Sequence, residues 1–158
     1  MSDAVDLTQL LLALADARVS YILVGGLAAV AQGAPVMTFD VDIVHERDAA
    51  NCSRLVAVLA QLHARYRGRP DRLEPTLDAL MSTGHQLLAT DLGPLDVLGA
   101  VEGGRAFSDL VAHTVTLDVD GRPIRMLRLE KLLELKLQWN DDESRARAAL
   151  YERALRHT

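Results

Sequence analysis

The sequence has 158 residues, 49% of them hydrophobic and 25% charged, with a net charge of −5 at pH 7. That length suits one globular domain with a real core, and the acidic balance argues against indiscriminate nucleic-acid binding, leaving room for a local basic patch. The single cysteine excludes an internal disulfide framework, the acidic opening MSDAVD is unlike a secretory leader, and no run reaches the ~18 apolar residues of a membrane span; a cytoplasmic protein is expected.

The first predicted element is a helix. Asp6 stands at its N-cap with Gln9 three residues on, the pattern of a capping box, and Leu7, Leu10, Leu11 and Leu14 recur at helical spacing. Tyr21 to Val24 then forms a short apolar run that stops at Gly25 and Gly26. An Ala-rich segment follows, Pro35 punctuates a loop, and a second run alternates Asp40 and Asp42 with Phe39, Val41 and Ile43. The pattern predicts strand, glycine turn, short helix, strand. Glycines between a strand and a helix let the backbone approach an anion, usually a phosphate, with free amides pointing towards it. A strand period of two puts Asp40 and Asp42 on one face and Phe39, Val41 and Ile43 on the other. Two carboxylates that close resist joint ionisation unless a metal neutralises them. Together, cradle and acid pair point to a triphosphate held through magnesium. The plainer alternative is a half-exposed strand with solvated aspartates.

From Asp48 to about Tyr66, Cys52, Leu55, Val56, Leu59 and Leu62 share one helical face. Cys52 reads as a small core residue rather than a nucleophile, because nothing nearby argues for a lowered thiol pKa. Arg65 to Arg72 holds four arginines with Gly68 and Pro70. It reads as a solvated loop or, alternatively, as a basic lip that meets an acceptor's phosphates. Thr76 to Met81 suits a short helix, and His85 to Thr90 a strand that turns into a further apolar run around Asp96. Ala106 to His113 is weakly helical; Val115 to Met126 is a hairpin, since Asp120-Gly121 supplies the positive backbone angles of a tight turn.

Two helices follow Leu129, separated by Asn140 to Asp142. Leu129, Leu132 and Leu133 mark the inward face of the first, and Lys136 falls on the same stripe. Its ammonium either snorkels to water or meets a phosphate in a cleft. The five histidines are scattered, and neither a Rossmann fingerprint, a Walker lysine, a zinc-protease helix nor a nucleophile elbow is present.

The motif Val24-Gly25-Gly26, followed by Thr38-Phe39-Asp40-Val41-Asp42-Ile43, resembles the signature of the polymerase-beta-like nucleotidyltransferase superfamily. Within it, the likeness is to the small bacterial nucleotidyltransferases that include the abortive-infection toxins. The resemblance implies an α/β (α+β) fold with a mixed sheet flanked by helices, here one domain over 1–158 with a C-terminal helical segment from 129. It also implies a third carboxylate on a later strand, for which Gly93-Pro94-Leu95-Asp96-Val97-Leu98-Gly99 offers Asp96. Asp40, Asp42 and Asp96 would then hold two Mg2+ ions, with Mn2+ as a substitute, and carry the catalysis; Gly25, Gly26, Thr38 and Lys136 would bind the nucleoside triphosphate. The implied reaction moves a nucleoside monophosphate onto an acceptor hydroxyl of a small molecule, a tRNA or a protein. A toxin of this kind would have an antitoxin partner. The alternative is a catalytically silent module that holds a nucleotide or a protein. After Lys136 the chain reads Leu137-Gln138-Trp139-Asn140-Asp141-Asp142, a departure from the glycine, basic residues and aspartate of relatives.

Overall fold

The computed structural model describes residues 5–157, and one sheet runs through them. Its strands are β1 (Tyr21–Val24), β2 (Val41–His45), β3 (Arg65–Tyr66), β4 (His85–Thr90), β5 (Gly93–Leu98), β6 (Thr114–Val119) and β7 (Arg122–Leu127). The seven lie in the order β3-β4-β5-β2-β1-β7-β6. β1 is antiparallel to β2 and parallel to β7, while β2 is parallel to β5. The β4–β5 and β6–β7 hairpins extend the two sides. This is the mixed sheet expected from the sequence, and the Asp120-Gly121 turn sits where the alternating pattern puts it.

Cross-strand register assigns the faces, because residues opposite one another point to the same side. Tyr21, Leu23, Val41, Ile43, His45, Leu95 and Val97 share one face. It meets α1 (Leu7–Asp16), α3 (Ala49–Gln61) and α4 (Leu77–Met81): the Tyr21 hydroxyl donates to the Leu11 carbonyl, His45 Nε2 lies 2.6 Å from Leu80 O, and the fully buried Cys52 thiol donates to that same carbonyl. Asp42 and Asp96 lie on the opposite face with Val24 and Leu98. That side is met by α2 (Gly25–Ala31), by α6 (Leu129–Lys136) and by α7 (Asp142–Arg156). α5 (Phe107–Leu110) belongs to the connection between β5 and β6. No helix among the described residues is long and apolar enough to cross a membrane.

Two expected boundaries move. β2 starts at Val41, so Asp40 occupies a bend before the strand and Phe39, expected on the apolar face, is 68% exposed. The cause lies in the two neighbouring strands: the β1 ladder ends at Val24 opposite Asp42, where the chain turns into α2, and the β5 ladder reaches back only to Val41 opposite Leu95, so residues before Val41 find no partner. α3 ends at Gln61 rather than near Tyr66. His63 adopts a left-handed conformation with φ 54°, and the Ala64 amide closes back on the Leu59 carbonyl. Released from the helix, Arg65 and Tyr66 pair with β4 at the sheet edge.

Side-chain amides lock the helices to the sheet. Gln32, just past α2, donates from Nε2 to the Leu127 carbonyl at 2.8 Å and accepts from the Leu129 amide at 2.9 Å, so one side chain joins α2, β7 and the start of α6. Asn51 performs a similar task, accepting from Ser20 N and donating to the Ser20 and Glu46 carbonyls. Replacing Gln32 with Ala strands the Leu127 carbonyl and the Leu129 amide. A loss of about 1–3 kcal/mol is expected in urea unfolding, and an unchanged midpoint and slope would show that the clamp is idle.

Candidate active site

The pairing of β2 with β5 sets Asp42 directly opposite Asp96, and Val24 lies opposite Asp42 on the other flank. Asp40 sits two residues before Asp42. One carboxylate oxygen from each of Asp40, Asp42 and Asp96 falls within 4.8 Å of the others. Gly25, next to Val24, has φ 72°, and a Cβ there would lie 2.2 Å from Asp42 Oδ2. Both the left-handed backbone and the contact require glycine. A Cβ on Gly26 would stand 3.1 Å from Thr38 Oγ1 and from Arg147 Nη1. The Thr38 hydroxyl donates to the Asp40 carbonyl at 3.3 Å, so Thr38 lies between the glycine turn and the first aspartate.

Burial and crowding raise the proton affinity of Asp42 and of Asp40. Burial pushes the Asp42 carboxyl up to about 8, helped by the Asp40 charge and by a hydrogen bond with Asp96 that favours the protonated form, while Lys136 opposes the shift. Asp40 is also raised, first by burial and then by Asp96, with Arg67 and Arg147 pulling it back. Asp42 Oδ1 is buried and accepts no hydrogen bond. Arg67 Nη2 lies 2.7 Å from Asp96 Oδ1, too poorly aligned for a hydrogen bond but close enough for an ion pair.

A cavity of about 120 Å³ opens beside Asp42 and Gly25, walled by Leu132, Leu135, Lys136 and Tyr151. The Tyr151 hydroxyl is buried there with Arg147 beside it, yet makes no well-formed hydrogen bond. A larger cavity, of about 360 Å³, borders Ala15, Ser20, Arg122 and Arg125 and contains none of the three carboxylates.

The site thus brings together Gly25, Gly26, Thr38, Asp40, Asp42, Asp96 and Lys136, the residues singled out in the sequence. Lys136 borders the cavity instead of standing free in water. Arg67, one arginine of the candidate basic lip, meets Asp96 directly. Arg147 and Tyr151 escaped the sequence reading; their i, i+4 spacing on α7 is the signal that places both on one helix face. Arg147 also donates to the Met37 carbonyl at 3.1 Å, tying α7 to the loop that carries Thr38. Three convergent carboxylates, one with an unsatisfied buried oxygen, fit a hard divalent cation, which takes oxygen ligands and favours their ionised form.

No protein family model matches the sequence, and no curated protein matches it. Solved structures do match its fold. The lincosamide antibiotic adenylyltransferase LnuA, with lincomycin bound, superposes with a TM-score of 0.60 at 15% identity, covering 91% of this chain and 92% of that one. ANT(2″)-Ia in complex with adenylyl-2″-tobramycin gives 0.57 at 17% identity, covering 94% and 88%. An antigenic nucleotidyltransferase-like protein from Paracoccidioides brasiliensis gives 0.56 at 16% identity, covering 96% and 74%. The chain shares the fold of these nucleotidyltransferase structures. At these identities the likeness establishes architecture alone.

The Asp42 shift has a measurable consequence. Its carboxyl holds a proton to about pH 8 in the folded chain but releases it near its ordinary 3.8 when unfolded, so the folded state binds more protons between those values. Without divalent metal, the Asp42 contribution to stability is therefore full below pH 4 and is lost as the pH rises towards 8. Between pH 5 and 8.5 in chelator, the wild type should lose on the order of 5 °C more in Tm than Asp42→Asn. Parallel melting curves would contradict the assignment.

Proposed function

We propose that this protein is a nucleotidyltransferase that moves a nucleoside monophosphate from a nucleoside triphosphate to the hydroxyl of a small-molecule acceptor, with Mg2+ held by Asp40, Asp42 and Asp96. The observation that carries this reading is the convergence of the three carboxylates within 4.8 Å beside the Gly25 turn. In the reaction, a bond forms between the acceptor oxygen and the α-phosphorus, the bond from that phosphorus to the pyrophosphate oxygen breaks, and pyrophosphate leaves. Bound Mg2+ would supply charge neutralisation and lower the acidity barrier of the acceptor hydroxyl.

The chain's own groups divide the rest of the work. Asp96, the carboxylate on the β4 side of the cluster and so farthest from the Gly25 turn, takes the acceptor proton. Gly25 and Gly26 allow the triphosphate to approach the backbone amides, and Thr38 walls that approach. Lys136 and Arg147, both partly shielded, provide fixed positive charge for the triphosphate tail. The helical segment from 129 thereby completes a site begun by β1 and β2, within one domain. A small acceptor is favoured over a tRNA or a protein because two of the matched structures contain lincomycin and an adenylylated tobramycin. The toxin and antitoxin pairing rests on the sequence resemblance alone. A triphosphate-consuming reaction also agrees with the cytoplasmic location expected from the lone cysteine.

Calorimetry with ATP, CTP, GTP and UTP, with and without Mg2+, together with a pyrophosphate-release assay, tests this reading. Binding of at least one triphosphate should require the metal. Replacing Asp40, Asp42 or Asp96 with Asn should cut pyrophosphate release at least ~100-fold while leaving the melting transition cooperative. Undiminished release in the Asp40 and Asp42 variants would contradict the assignment. Metal-dependent binding that never leads to release, across acceptors of every class, would favour the silent nucleotide-holding module.

A further inference from the structure

The strand order lays out the site as a line. Gly25 follows β1, Asp42 lies on β2, Asp96 on β5, Leu87 on β4, and Arg67 follows β3. Neighbouring strands are ~4.8 Å apart, so the triphosphate end and the Arg67 end are separated by the carboxylates. Leu87 is paired in register with Asp96, and the Arg67 amide donates to the Leu87 carbonyl at 3.0 Å. Arg67, Leu87 and Asp96 therefore sit side by side. Leu87 is 44% exposed, whereas the alternate β4 residues Gln86, Leu88 and Thr90 are buried, so this half of the sheet is covered on one face and open on the other.

Arg67 is not a loose surface arginine. Its Nη1 donates to the Leu88 carbonyl at 2.7 Å while Nη2 contacts Asp96 Oδ1 at 2.7 Å, and its side chain is only 33% exposed. The guanidinium is thus anchored by the backbone on one side and holds a carboxylate on the other. A divalent cation that takes the Asp96 charge leaves that guanidinium without its carboxylate partner, still anchored and facing the open side of the sheet. A fixed guanidinium beside an apolar side chain binds an anionic group through charge-assisted, often bidentate hydrogen bonds.

We propose that Arg67 selects the acceptor, and that the acceptor is a small hydroxyl-bearing molecule carrying a phosphate or carboxylate, seated over Leu87 on the open half of the sheet. This rests on the nucleotidyl-transfer reading and adds the substrate class to it. Lys136 and Arg147 stand on the triphosphate side, so the two anionic ends of the reaction have separate cations. The acceptor's hydroxyl then lies next to Asp96, the group that receives its proton.

The test is equilibrium binding to the full chain with Mg2+ and a non-hydrolysable ATP analogue, using ribose 5-phosphate against ribose and glycerate against glycerol. At least one charged probe should bind about tenfold more tightly than its neutral partner, and the pair that shows the difference tells phosphate from carboxylate. Arg67→Gln should abolish the difference and Arg67→Lys should retain part of it, each variant being checked by its melting transition. Equal or absent binding of the charged probes, a preference that survives in Arg67→Gln, or tighter binding of an RNA oligonucleotide than of any small probe overturns the proposal. If the wild type fails to bind the ATP analogue in a metal-dependent way, the nucleotidyl-transfer reading itself falls; normal nucleotide binding without charge selection removes only the role of Arg67.

Discussion

Mutual repulsion among three carboxylates is the condition under which the rest of this molecule is built. Nothing in a globular fold favours bringing Asp40, Asp42 and Asp96 to within 4.8 Å of one another with Asp42 largely out of water, and each step in that direction raises the free energy of the ionised form. The sheet imposes the arrangement regardless, because parallel pairing of β2 with β5 leaves Asp42 and Asp96 no choice of neighbour. Flanking positions such as Val41, Ile43, Leu95 and Val97 are completely buried. A slip of one residue in either strand would turn its two apolar positions towards the cleft and its acid into the core, so hydrophobic burial holds the register against the electrostatic cost.

The surrounding features answer to that strain. Lys136, Arg67 and Arg147 come from three separate parts of the chain and all act on the acids. Gly25 is there because any side chain would strike Asp42. Gln32 fixes the start of α6 to the end of β7, and so sets the helix at whose other end Lys136 borders the cleft. A site that is strained without its ligand and relaxed by a cation is one in which stability and function are traded against each other.

Much of this architecture is legible in the sequence because it depends on local patterns. The strand-glycine-helix turn at Val24-Gly25-Gly26, the Asp120-Gly121 hairpin and the stripe from Leu129 to Lys136 each declare themselves within a dozen residues, and all three occur as expected. What the sequence hides is long-range. Phe39 reads as a strand residue, but the β1 ladder ends at Asp42 and the β5 ladder at Val41. Arg67 lies 29 positions from Asp96, and only the antiparallel path of β3, β4 and β5 brings them together. Arg147 and Tyr151 lie on a helix whose amphipathic pattern says which face is buried but not that an acidic cleft lies opposite.

The acids give the whole arrangement its meaning only if a cation joins them. Crystals grown with Mn2+ and a non-hydrolysable nucleoside triphosphate, examined by anomalous diffraction at the manganese edge, address that directly. Manganese should appear between Asp40, Asp42 and Asp96 with oxygen ligands from all three. Bound nucleotide with no manganese among these carboxylates, or manganese held elsewhere on the chain, would contradict the claim that they form a metal centre.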